Sequence, residues 1–259
     1  MAPDVWYEST VSAPDRLTGT LFVALSNLGL AGVTALDHLT TARSDDQIGR
    51  LRSRGMPGIT PVEDGEPSHP MRVYASPETD AENDYCAVIS ELAIPVWAAE
   101  PFADAIQDLL GRSEADVDEV VVFHGIPIPH NPDEHEVYAV STPEYRTRRL
   151  EESDTDPLRG GVLDGVPSEL TVRGLDDEIP PVGTLVTPVH PPGPDLDAAL
   201  RFLAFVRDVY GLDVDDEPLR ERSAAMTQYY SELAERLGAL EAADAPIGTQ
   251  SWPEDRMYM

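Results

Sequence analysis

GTLFVALS, residues 19–26, runs directly into NLGLAGVTALDHLTT, residues 27–41, and the passage from one to the other sets the fold class. The first stretch is a short apolar run ending at a loop, the pattern of a buried strand. The second places Leu28, Ala31, Ala35 and Leu39 at helical spacing, with Gly29 and Gly32 at its start. Strand, glycine turn and helix in that order make one half of an α/β unit. The glycine pair fits two uses: a phosphate held at a helix N-terminus, or close packing of the helix on the sheet.

Outward from that unit, Val117–Phe123 is the clearest strand run, and it leads into His124-Gly125, where an α/β sheet opens its ligand-facing edge. Val5–Val11, Pro70–Ala75, Tyr85–Ile94, Glu136–Ser141 and Val182–Val189 read as further strands. Residues 43–70, rich in glycine, proline and charge, read as short strands and loops. Val96–Leu110 carries Trp97, Phe102, Ile106, Leu109 and Leu110 on a helical stripe closed by Gly111. Pro143–Glu152 has helical character, and Asp195 stands as the N-cap of an amphipathic helix to Tyr210. A long C-terminal helix over about Glu217–Leu240 sets Leu219, Met226, Tyr230, Leu233 and Leu237 on one face. This alternation predicts an α/β fold with a largely parallel central sheet and helices on both sides, as a single domain over residues 1–241. Pro246, Gly248 and Pro253 predict a flexible tail over 242–259.

The 259 residues hold 48 Asp and Glu against 18 Lys and Arg, a net charge of −30, and every one of the 18 cations is arginine. Such a chain repels itself in dilute buffer, whereas at ~1 M salt a screening length of ~3 Å removes most of the repulsion. The absence of lysine and the spread of acid along the chain predict a protein of a halophilic archaeon. Its surface repels phosphates, so nucleic acid is not an expected partner. The lone Cys86, in an apolar run, predicts a small buried residue in a reducing compartment. No apolar run reaches ~18 residues, and Met1-Ala2-Pro3-Asp4 lacks the basic and apolar regions of a secretion signal. The expectation is a soluble cytoplasmic protein that does not engage a membrane.

His124, His130 and His135, with Asp133, Glu134 and Glu136, form the one dense group of metal-ligand types. Their spacing across a proline-rich loop matches neither a zinc helix nor a paired ribbon, and solvated ion pairs explain it equally, so no metal or other cofactor is expected. There is no G-x-S-x-G elbow and no glycine-rich lysine loop, and a chain without lysine has no lysine-dependent mechanism. Asn27, Gly29, Gly32, His124 and Gly125 remain as a candidate pocket at the sheet edge. Used as a pocket, they point to a phosphorylase or hydrolase of nucleoside-like substrates; used as loop caps, they point to no chemistry.

The chain ends Met257-Tyr258-Met259, in which an apolar residue, a penultimate tyrosine and the terminal carboxylate can enter one groove. By itself the tripeptide also fits a frayed terminus. The helix start Asn27-Leu28-Gly29-Leu30-Ala31-Gly32, the strand end Val120–Gly125, and the stretch from Pro194-Asp195-Leu196-Asp197-Ala198-Ala199-Leu200 through Tyr210-Gly211-Leu212-Asp213-Val214-Asp215 resemble the archaeal proteasome assembly chaperone family. The resemblance runs from about Thr20 to Leu240. It implies a fold like that of nucleoside phosphorylases without their chemistry, and ATP-independent binding to the proteasome core particle. Met257, Tyr258 and Met259 match the hydrophobic-tyrosine-any tails of that family, which dock between neighbouring α subunits. Met259 departs from the polar or small residue commonest at the last position, which bears on gate opening more than on binding. Docking by a short tail implies a homo-oligomer, since linked tails gain avidity of ~10²–10⁴ over one.

Overall fold

Apolar runs that bury both of their faces form the middle of an eight-stranded sheet. The computed structural model describes residues 3–10, 17–76, 84–112, 115–128, 131, 134–190 and 193–244, excluding the side chains at 234 and 237–244. In chain order its elements are β1 (Asp4–Ser9), β2 (Leu17–Leu25), α1 (Ala31–Arg43), β3 (Asp46–Arg54), a small hairpin of β4 (Val62–Glu63) and β5 (Glu66–Pro67), β6 (Met71–Ala75) and β7 (Tyr85–Ser90). There follow α2 (Ala99–Leu110), β8 (Ala115–Ile126), β9 (Tyr138–Ser141), α3 (Pro143–Tyr145), α4 (Gly165–Leu175), β10 (Val182–Pro188), α5 (Leu196–Tyr210) and α6 (Glu217–Asp244). A single π-helical turn, Arg146–Leu150, continues α3.

The strand order is β1-β3-β6-β7-β2-β8-β10-β9. The inner pairings β7–β2, β2–β8 and β8–β10 are parallel. Those of β1–β3, β3–β6, β6–β7 and β10–β9 are antiparallel. The sheet is therefore mixed, and the expectation of a largely parallel sheet holds only for its four central strands. The cause lies in residues 43–70, expected as short strands and loops: Asp46–Arg54 form one nine-residue strand that pairs with β1 and β6 in antiparallel register. Its charged side chains and a register shift between Gln47 and Gly49 obscure the alternation that marks a strand.

Side chains of the central strands alternate between two helical layers. On one side Leu21, Val23, Val88 and Val122 pack with Phe102, Ile106 and Leu109 of α2 and with Val166 and Leu170 of α4. On the other, Phe22 meets Tyr85 at 5.5 Å, Phe123 at 5.6 Å and Tyr210 at 5.2 Å between ring centroids, and Phe123 meets Phe202 of α5 at 5.0 Å. Each such aromatic pair contributes ~0.5–1.5 kcal/mol beyond its buried area. Asp195 caps α5 by accepting from the Ala198 N–H at 2.9 Å, and Gly211, at φ 67°, ends that helix in the left-handed region. Cys86 is fully buried, and burial pushes its thiol up to about 12, which leaves it unreactive.

The chain groups into two compact units, residues 1–220 and 221–259. All the elements above except the greater part of α6 belong to the first. Among the described residues no helix is long and apolar enough to cross a membrane.

Candidate functional site

The parallel strands β7, β2, β8 and β10 end together on one edge, where an α/β sheet ordinarily receives its ligand. Asn27 follows β2 there, and His124 and Gly125 close β8 beside it. The Asn27 amide, turned so that both of its ends are satisfied, accepts from the Gly125 N–H at 3.0 Å and donates to the Leu28 carbonyl at 3.2 Å. Its Oδ1 also lies 3.3 Å from His124 Nδ1, which makes Nδ1 the protonated nitrogen of a neutral ring. Burial lowers the His124 pKa below the ordinary imidazole value, against the opposing pull of the Asp164 carboxylate. The neutral form thus prevails near neutral pH.

Gly29 and Gly32 flank the start of α1 in the same neighbourhood, and both are there for packing. A Cβ at Gly32 would stand 2.8 Å from Phe123 Cβ, so only glycine lets α1 lie this close to β8. A Cβ at Gly29 would stand 2.8 Å from Val189 Cβ, and one at Gly125 2.7 Å from Val189 Cγ1. Val189 is 2% exposed and fills the space between the two glycines. The Asp195 N–H donates to the Gly29 carbonyl at 2.7 Å, so the start of α5 closes over the same crevice. Burial raises the Asp195 carboxyl, but hydrogen bonds from the Ala198 and His190 N–H groups, with the nearby Arg201 charge, bring it below its ordinary value. Of the five residues selected for a pocket, Asn27, His124 and Gly125 are brought together, Gly29 and Gly125 meet the Val189 side chain, and Gly32 packs on Phe123.

Among the described residues the histidine-rich loop does not converge. His124 faces Asn27, while the ring of His135 meets that of His190 at 5.1 Å. His130 and Asp133 lie outside the described residues, among which no cluster suited to a metal ion occurs. Met257, Tyr258 and Met259 also lie outside the described residues.

Two features escaped the sequence reading. A cleft of about 970 Å³ opens between residues 135–137, the segment 147–155 and α5, lined by Arg148, Arg149 and Arg201 together with Glu136, Glu152 and Asp208. The other is a buried polar network at the opposite, amino edge of the parallel strands. Glu119, fully buried, accepts from Arg149 Nε at 2.7 Å and from Thr20 Oγ1 at 3.1 Å, and Arg148 lies 3.7 Å from its second oxygen. The Arg149 guanidinium sits 4.7 Å from the Tyr210 ring centroid, and the Tyr210 and Tyr145 hydroxyls are 2.7 Å apart. Burial raises the pKa of both phenols, so they stay protonated. Beside them the Tyr85 hydroxyl donates to Asp45, whose carboxyl burial lifts to about 6.

A sequence match spanning residues 21–234 is with the PAC2 family. The chain belongs to that family. No curated protein matches the sequence. The PAC2 fold seen here is similar to that of Pyrococcus furiosus PbaA, described as an archaeal homolog of proteasome-assembly chaperone, with a TM-score of 0.76 and 20% identity over 92% of this chain and 95% of that one. Pyrococcus furiosus PbaB, described as an archaeal proteasome activator, is similar with a TM-score of 0.75 and 20% identity over 89% of this chain and 99% of that one. A PAC2 family protein from Streptomyces avermitilis gives 0.62 and 16% over 84% and 96%. At these identities the likeness is one of fold.

Proposed function

We propose that this PAC2 protein is a non-enzymatic, ATP-independent binder of the proteasome core particle in the cytoplasm of a salt-adapted archaeon, acting as assembly chaperone or activator. Its last three residues, Met257-Tyr258-Met259, dock between neighbouring α subunits. The observation that carries the reading is PAC2 membership over residues 21–234 in a chain that ends in this tripeptide. The fold shared with PbaA and PbaB supports it. So does the packing of the Val189 side chain against Gly29 and Gly125 at the sheet edge, where an α/β sheet ordinarily receives a small molecule. A phosphorylase or hydrolase, on a nucleoside-phosphorylase-like version of the fold, has only the Asn27–His124 pairing in its favour.

Burial of Met257 and Tyr258 contributes roughly 1.5–3 kcal/mol each before ordering costs, so a single tail binds weakly and a homo-oligomer binds through several. At molar salt the attraction of the terminal carboxylate is screened, and the apolar side chains carry more of the affinity. Deleting residues 257–259 is expected to abolish most co-sedimentation with core particle in molar salt. Unchanged co-sedimentation would remove the tail from the mechanism, and no binding by the full chain would remove the partner.

A further inference from the structure

The cleft beside α5 holds cations that the fold does not fully engage. Arg201 is half-buried there, its Nε donating to Thr187 Oγ1 at 2.9 Å and its Nη2 to the Pro188 carbonyl at 2.7 Å. Those bonds fix the guanidinium and leave Nη1 unspent. Among the described residues no carboxylate forms an ion pair with it, in a chain that carries 48 acids against 18 arginines. Burial lowers its pKa, opposed only by the longer-range pull of Asp195 and Asp197. A desolvated cation of this kind is costly until a counter-charge meets it. At the other end of α5 the Arg149 guanidinium lies 4.7 Å from the Tyr210 ring centroid, with its Nε on Glu119 at 2.7 Å. The edge formed by its Nη1 and Nη2 is left for a carboxylate, which such an edge receives bidentately. Arg148, beside it, spends Nη1 on the Asp118 carbonyl at 2.9 Å.

We propose that this cleft is a docking site for an extended acidic segment of a partner protein, one carboxylate meeting Arg201 and another, four residues away, meeting Arg148 and Arg149. The length of α5 sets that spacing. From Arg201 to Tyr210, against which Arg149 stacks, the helix advances roughly 13 Å at ~1.5 Å per residue. An extended chain covers about the same distance in four residues at ~3.3 Å each, and its side chains i and i+4 leave on one face. Ala204 and Phe205 lie between the two anchors and give the segment an apolar floor. Glu136, Glu151, Glu152, Asp154 and Asp208 line the same cleft, all with exposed side chains. In dilute buffer they oppose an acidic ligand. At ~1 M salt a screening length of ~3 Å silences them, whereas direct contact with a half-buried guanidinium persists.

Calorimetric titration of the full chain in molar KCl with the capped peptide Glu-Ser-Val-Ser-Glu tests the site. Arg201→Gln is expected to weaken binding about tenfold, as loss of a charge-assisted contact does. Arg146→Gln, which removes an exposed arginine outside the cleft, is expected to change it by less than about twofold. Ala204→Glu keeps every arginine and sets a carboxylate on the half-buried floor; its expected loss is also about tenfold, so the test stands if Arg201→Gln fails to fold. The peptide Gln-Ser-Val-Ser-Gln is expected not to bind. Equal affinity for the two peptides, no binding of the glutamate peptide, or equal losses from Arg201→Gln and Arg146→Gln overturn the proposal. Tighter binding of Lys-Ser-Val-Ser-Lys assigns the cleft to its exposed acids and overturns it likewise. The titration contains no proteasome, so its outcome is independent of whether the tail docks there.

Discussion

The two ends of the parallel strands solve opposite problems. At the carboxyl edge, where open α/β sheets bind ligands, two glycines pack on Val189, and the polar groups of Asn27 and Asp195 are taken up by backbone N–H and C=O groups and by the rings of His124 and His190. At the amino edge, where ligands are not expected, the buried Glu119, Tyr145 and Tyr85 bond the half-buried Arg149, Tyr210 and Asp45. There the Glu119–Arg149 pair holds the π-helical turn at Arg146–Leu150 onto β8.

The largest effect that separates the two edges belongs to Arg149. Arg149→Ala leaves Glu119 fully buried without its main cation and is expected to destabilise the first unit by ~3–5 kcal/mol in chemical denaturation at molar salt. The Arg148 guanidinium 3.7 Å away offsets part of this loss. Adding Glu119→Gln should recover most of the remainder, since a neutral amide has no buried charge to compensate. A loss below ~1 kcal/mol for Arg149→Ala would mean that the network is incidental, and the contrast between the edges would fail.

At the carboxyl edge the expected cost comes from excess volume. Gly125→Ala drives a Cβ to within 2.7 Å of Val189 Cγ1 and is expected to cost ~1–3 kcal/mol. In the double variant with Val189→Ala the 2.7 Å contact is gone and only the Leu28 carbonyl at 3.2 Å remains close, so the two costs should combine to less than their sum. Strict additivity in that cycle would show that Val189 does not occupy the crevice.

How far this contrast was legible before the structure depends on the element. The β2–α1 unit, the end of β8 and the capped helix α5 were readable because strands buried on both faces are continuous apolar runs, and because Asp195 marks its helix start. Helix α4 was missed: GVPSELTVRGL holds two glycines, a proline and β-branched residues, although Asp164 and Pro167 at its start were available signals. Strand direction is not written in side chains, so the antiparallel flank β1-β3-β6-β7 went unread. Asn27 and His124 were placed together because each follows a strand of the same central sheet. Val189, which fills the space between them, comes from the end of β10, and the pairing of Glu119 with Arg149 depends on how the turn after α3 lies against β8; neither leaves a local pattern.

The smallest effects, and the sharpest test of the contrast, are two pH slopes of opposite sign. Asp45 titrates at about 6 in the fold against an ordinary 3.8, so the folded state holds its proton more tightly than the unfolded state does. Its contribution is fully present below about pH 4 and is lost as pH rises through 6. The shift corresponds to ~1–2 kcal/mol once partial exposure is allowed for. His124 is depressed below its ordinary 6.5 by burial, so the unfolded state holds that proton more tightly, and its contribution is present above pH 6.5 and is lost on acidification. Asp45→Asn should therefore remove a fall in stability between pH 4 and 6, and His124→Gln should remove a rise approaching pH 6.5, both read as urea midpoints at fixed molar salt. Molar salt screens the long-range repulsion among the surface carboxylates, so these local slopes stand clear of the −30 background. If both variants shift the profile in the same direction, the two edges differ in composition but not in the way that they hold protons.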